Sequence, residues 1–275
     1  MILNLDNEVY FKKAFTNKTV FRCFVRDVTG VDAEFGKIET EKRFSPKFGY
    51  VNFKYDIFAE TLDHRVIVEI QKIDYDYNFD RFLLYHNMAL AELQRSSREY
   101  KIEKTVYTIV VVTEPYRMKD RKGALIKHDI LIHKSNFFTF SGEEVDIFEH
   151  KLFCLNPNYI NDKTPSSIKD WLHLVNESIK NPYNFEVNQS NEGIKEVLRE
   201  IDDDNISVED RTLAKQTEAA KSKAQLILEE GILLGEQKGE RKKSLETAAK
   251  MKQKGFSLEM ISECTGLSVE EINKI

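Results

Sequence analysis

Apolar residues recur at three- and four-residue spacing near the start of the chain, at Phe11, Ala14 and Phe15 and then at Phe21, Phe24, Val25 and Val28, which predicts helix over residues 6–29. Thr16-Asn17 interrupts the pattern and predicts a break there. The period then falls to two. Gly36 to Phe44 reads as a first strand, and Val51 to Leu62 and Arg65 to Lys72 as two more, joined in a hairpin by the two-residue connection Asp63-His64. Pairing Leu62 with Arg65 sets Phe58 opposite Glu69 and Asp56 opposite Gln71, and opposed residues of an antiparallel ladder point to one face. Asp56, Glu69 and Gln71 therefore share a face, while Ile57, Ala59, Val66, Val68 and Ile70 make the other one apolar. A slip of one residue would turn that apolar set into water, so the pattern supports the register.

Helical spacing returns from Asn78 to Ser97, with an Asx cap at Asn78 and a buried side of Phe82, Leu83, Ala89, Leu90 and Leu93; Arg81 and Tyr85 stack at i,i+4 on this helix. Val106 to Val112 is apolar on both faces and suits an interior strand, parallel to the Glu69 strand and reached by a right-handed crossover. Ala124 to His133, Asn136 to Phe140 and Val145 to Leu155 alternate like strands. Beyond Asn156-Pro157 the texture turns helical, at Ser167 to Lys180 around Trp171, at Asn191 to Ile201, and at Val208 to Lys254 as one long charged helix. Its Gly231, Gly235 and Gly239 repeat every four residues, a spacing that suits either close approach of a partner helix or an interruption of the helix. Ser257 to Ile275 reads as a small helical hairpin turning at Thr265-Gly266-Leu267. The expected organisation is an α/β domain over residues 1–155, a helical extension over 156–205, and the long helix with its hairpin over 206–275.

Charge and composition narrow the chemistry. A formal net charge of −5 argues against coating nucleic acid by bulk charge, so contact with DNA has to come from local patches such as Arg117, Lys119, Arg121, Lys122 and Lys127. Lys12, Lys13, Lys18, Arg22 and Arg26 on the first helices are further candidates to face phosphates, or else a solvated helix face. Three well-separated cysteines give neither a disulfide framework nor zinc spacing, which fits a reducing cytoplasm. No signal-like opening follows Met1 and no apolar run reaches bilayer length, so a soluble intracellular protein without membrane contact is expected. Asp56 and Glu69 fall diagonally on the polar face of the hairpin, with β-carbons roughly 7 Å apart. Two such carboxylates can share one hard cation at about 2.1 Å, and Gln71 adds an amide, which makes the hairpin a candidate Mg²⁺ site. Glu8 is placed to lean onto that metal or to favour the positive end of its own helix.

At these residues the chain resembles a known family. Asp56, then Glu69-x-Gln71 on the next strand, is similar to the PD-(D/E)XK nuclease core in the variant of the Rpn-type recombination-promoting nucleases, also described as PD-(D/E)XK family transposases. The opening Glu8 to Phe15, EVYFKKAF, resembles that family's acid-x-x-Phe-Lys-x-x-Phe, Arg81 and Tyr85 resemble its Arg-x-x-x-Tyr, and the tail from Glu229 is similar to its usual ending. No motif covers residues 115–205. The resemblance implies a restriction-endonuclease-like core of helix, three-strand meander, helix and strand, followed by helices. It implies a Mg²⁺-dependent DNA endonuclease with Asp56, Glu69 and Gln71 catalytic, Arg81 and Tyr85 toward substrate, metal on Asp56, Glu69 and Glu8, and a role in recombination or DNA mobility. Gln71 stands where the wider superfamily has Lys, and an amide orients water without supplying charge. The competing readings are a catalytically weak or inactive DNA-binding or oligomerisation module and a nuclease that cleaves RNA; the expected partners are DNA and, through the C-terminal helix, a second copy of the chain.

Overall fold

The computed structural model describes residues 1–44, 53–72, 78–94 and 101–275. Val51, Asn52, the Asn78 side chain and the end of the expected helix at Ser97 lie outside them. The first helical stretch divides where Asn17 intervenes: α1 (Glu8–Phe15) is capped by the Asn7 side chain and α2 (Lys18–Thr29) by that of Asn17. Gly30 closes α2 in the left-handed conformation, at φ 82°.

Three antiparallel strands follow, β1 (Ile38–Phe44), β2 (Phe53–Glu60) and β3 (His64–Gln71), then α3 (Asn78–Ala91) and β4 (Thr105–Val112). As its doubly apolar pattern requires, β4 lies inside the sheet, parallel to β3. The later strand runs are shorter than their alternation predicts, because only part of each finds a ladder partner: β5 (Ile130–Lys134), β6 (Phe137–Phe138), β7 (Glu144–Val145) and β8 (Lys151–Leu155). The result is a mixed six-stranded sheet in the order β1-β2-β3-β4-β8-β5, with β6 and β7 forming a separate ribbon.

Each face of the sheet is covered by helices. On one, Ile57, Ala59, Val66, Val68, Ile70 and Ile109 meet α1 and α2 together with α4 (Ser166–Lys180) and α5 (Glu192–Glu200). Phe15, Phe24 and Trp171 form the aromatic centre of this core, with ring centroids 5.0–5.9 Å apart. On the other face α3 packs Phe82 against Val110 and Val112, and Ala89 against Ile67 and Val106. The buried side of α3 runs through Phe82, His86 and Ala89, whereas Leu83, expected inside, is 37 % exposed because it sits about 100° around the helix from Phe82.

Helices α4 and α5 share the first core with α1 and α2, so the compact unit extends over Met1–Ala214 rather than closing near residue 155. The second unit is Lys215–Ile275. It contains most of α6 (Val208–Gln253) and a small core where Ala248 meets Ile261 of α7 (Leu258–Thr265) and Ile272 of α8 (Val269–Asn273). The expected turn is there, with Gly266 left-handed at φ 70° and a Ser268–Glu271 capping box opening α8. A Cβ added at Gly231, Gly235 or Gly239 would meet nothing within 4 Å, so among the described residues no helix exploits their small size. Among the described residues, no helix is long and apolar enough to cross a membrane.

Candidate metal and phosphate site

The hairpin register differs by two residues from the expected one. Glu60, not Leu62, pairs with Arg65, and Phe58 pairs with Ile67 rather than Glu69. The connection is set by Thr61: its N–H bonds the His64 carbonyl at 2.8 Å, and its hydroxyl accepts the N–H groups of Asp63 and His64 at 3.2 and 2.9 Å. A shift of two preserves which side chain points where, so the apolar set remains on the α1–α2 side as the alternation requires.

Continuing this register brings Asp56 opposite Glu69, not Gln71. Beyond Ile57–Val68 the ordinary ladder gives way to side chains: the Asp56 N–H donates to Glu69 Oε1 at 3.0 Å, and the Ile70 N–H donates to Asp56 Oδ2 at 3.2 Å. The two carboxylates thus cross between the strands, each replacing a carbonyl as acceptor. Strand β2 reverses its pleat at this point. Phe53 and Tyr55 lie with Phe58 on the α3 side, whereas Ile57 and Ala59 face α1 and α2. Across from Asp56 in the β1–β2 register is Glu41, which among the described residues is the one non-glycine with positive φ, at 57°. The simple picture of Asp56, Glu69 and Gln71 on one flat face is therefore corrected: Glu69 and Gln71 face α3, and Asp56 stands at the kink between the two faces.

Opposite charges converge here from both sides. From α1, Lys12 Nζ lies 3.1 Å from Asp56 Oδ1, contacts the Glu41 carboxylate, and is 3.9 Å from Glu8. Burial lowers the affinity of Lys12 for its proton, but Asp56, Glu41 and Glu8 outweigh it and hold the ammonium above its usual range. From α3, Arg81 Nη1 donates to Gln71 Oε1 at 3.2 Å and Nη2 to Tyr85 Oη at 3.4 Å, with the guanidinium 5.1 Å from the Tyr85 ring centroid. Tyr85 therefore supports Arg81, and Arg81 fixes Gln71. Glu69 is 4 % exposed, and burial, followed by the charge of Asp56, pushes its carboxyl well above the usual range.

A pair of close carboxylates, one driven toward its protonated form, fits the donor chemistry of a hard divalent cation, because the cation can take the place of the proton. Glu8 reaches this cluster through Lys12, and among the described residues no group of three or more His, Cys, Asp or Glu converges as a metal cage. Of the two new members of the cluster, Lys12 was expected only as one of five helix cations that face phosphates or solvent, and Glu41 had no expected role. For Lys12 the signal was its place in the EVYFKKAF motif; Glu41 gave none, since a glutamate in a charged strand is unremarkable. Three of the other helix cations are engaged elsewhere, Lys13 with Asp210 at 2.7 Å, Arg22 with Asp32 at 2.7 Å, and Arg26 with Asp27 at 2.8 Å.

Gln71 ends β3 beside the carboxyl end of parallel β4, where the Thr113 N–H bonds the Gln71 carbonyl at 3.0 Å. The basic segment follows directly, with Arg117, Lys119, Arg121, Lys122 and Lys127 all exposed. No family model, no curated protein and no solved structure matches the chain.

Proposed function

We propose that this chain is a divalent-metal-dependent phosphodiesterase of PD-(D/E)XK type acting on DNA in the cytoplasm, in recombination or DNA mobility as the family resemblance implies. The observation that carries the reading is the crossed pair of Asp56 and Glu69, two carboxylates that replace main-chain acceptors at a kink while cations stand on both sides. A bound Mg²⁺ supplies Lewis-acid polarisation of a phosphate oxygen and a water of lowered pKa. Asp56 and Glu69 are the residues that hold it. Gln71, fixed by Arg81, orients the attacking water through its amide, and Arg81 lies near enough to Glu69 and Asp56 to share in neutralising a phosphate. The basic segment after β4 tracks the nucleic-acid backbone at the mouth of the site. In the second unit, Leu226 and Leu233, and Ile227 and Leu234, are exposed at seven-residue spacing on α6, which supports assembly of two copies through this helix.

The test is incubation of the purified chain with supercoiled plasmid and, in parallel, with single-stranded RNA, with Mg²⁺ and with chelator. Nicking of the plasmid only with Mg²⁺, lost in Asp56→Asn and in Glu69→Gln, is the expected result. Cleavage confined to RNA would transfer the reading to an RNA nuclease. DNA retention without cleavage would favour a binding module.

A further inference from the structure

We infer that Lys12 is the cationic group that meets the phosphate in this site and that Glu41 is the residue that positions it, an inference that rests on the phosphodiesterase reading above. The Lys12 side chain is 12 % exposed, whereas its neighbour Lys13 on the same helix is at 27 % and Arg22 on the next at 43 %. A lysine serving only to solvate a helix keeps its ammonium in water. This one is carried inward to Asp56 at 3.1 Å, with Glu41 in contact and Glu8 at 3.9 Å. When Asp56 is committed to a divalent cation, Glu41 and Glu8 still hold the ammonium beside it, and a phosphate oxygen becomes its natural third partner.

Glu41 provides a second, independent observation. Its left-handed backbone, at φ 57°, is a conformation that a side chain with a Cβ rarely adopts, and such outliers persist where the surrounding structure holds them for a purpose. Here the distortion lies opposite the pleat reversal at Asp56 and directs the Glu41 carboxylate to both Lys12 and Lys54. Gln71 carries no charge, and Arg81 is tied to Gln71 and Tyr85. Among the described residues, Lys12 is thus the ammonium in direct contact with Asp56 of the carboxylate pair, supplied from α1 rather than from β3.

The experiment compares wild type, Lys12→Gln, Lys12→Arg and Glu41→Gln in plasmid cleavage at saturating Mg²⁺, in Mn²⁺ affinity by calorimetry without nucleic acid, and in thermal melting. Lys12→Gln is expected to slow cleavage about 100-fold while tightening Mn²⁺ binding, since a competing cation leaves Asp56. Lys12→Arg should recover at least a tenth of the wild-type rate, and Glu41→Gln should fall between. Wild-type cleavage by Lys12→Gln, or parallel loss of cleavage and Mn²⁺ affinity, overturns the role of Lys12. Should Lys12→Gln fail to fold, a wild-type rate in Glu41→Gln overturns the positioning role of Glu41, and an Arg variant no faster than background overturns that of the charge. A wild-type chain that cleaves nothing defeats the phosphodiesterase reading itself, and this inference with it.

Discussion

At the scale of single residues, the difference between what is buried for packing and what is buried for chemistry shows in how each charge is satisfied. Asp27 is a structural case. Its carboxylate accepts from Trp171 Nε1 at 2.8 Å, Asn191 Nδ2 at 2.6 Å and Arg26, and so ties α2, α4 and α5 together. Asp27→Ala would leave a buried indole N–H and an amide without their acceptor, so a loss of about 2–4 kcal/mol is expected, measured as a lower urea midpoint; an unchanged midpoint would show that water replaces the carboxylate. Asp56 and Glu69 differ in kind, because two acids of like sign are brought together and one is driven toward its protonated form. The closeness of the two acids was legible from their places on the two strands, although alternation put Asp56 two residues out of register and missed the kink there. Lys12 was not, since an inward-turned lysine and a solvated one occupy the same helical position in a sequence; only the arrival of β2 beside α1 tells them apart.

At the scale of elements, period-two alternation identified the two faces of the hairpin but could not choose between registers two residues apart, which bury the same side chains. The choice was made by Thr61, whose hydroxyl organises a longer connection than Asp63-His64 alone would give. The pleat reversal at Asp56 was equally hidden, because Phe53, Tyr55, Ile57 and Phe58 are all apolar and satisfy either face. Helix α3 yields a prediction of its own. His86 is fully buried against β4, its Nδ1 3.0 Å from Thr108 Oγ1 and its Nε2 without a partner among the described residues. Burial, then His133 and His150, lower its pKa from 6.5 to about 4. The folded state therefore favours the neutral ring, and the unfolded chain binds more protons between these values. Stability from this group is complete above pH 6.5 and is lost as pH falls toward 4, by about 3 kcal/mol in all. Urea midpoints measured across that window should fall for wild type and much less for His86→Gln; parallel curves would show that His86 does not control the acid limb.

At the scale of the whole molecule, the order of helix, meander, helix and strand could be read from periodicity, whereas the boundary near residue 155 could not. Trp171, Leu172 and Val197 lie on amphipathic helices whose apolar faces announce burial without saying against what, and they complete the core begun by Phe11 and Phe15. Removing Lys215–Ile275 should accordingly leave Met1–Ala214 folded, with an unchanged melting cooperativity and a smaller assembly by light scattering, because the exposed α6 leucines go with the tail. Truncation at residue 155 should instead abolish folding, since it strips Trp171 and α5 from the core. If Asp56 and Glu69 together hold one divalent cation, Mn²⁺ titration of the nucleic-acid-free chain followed by electron paramagnetic resonance will detect it. One bound Mn²⁺ per chain for wild type and none for Asp56→Asn or Glu69→Gln is the predicted result; binding that is undiminished in either variant would contradict it.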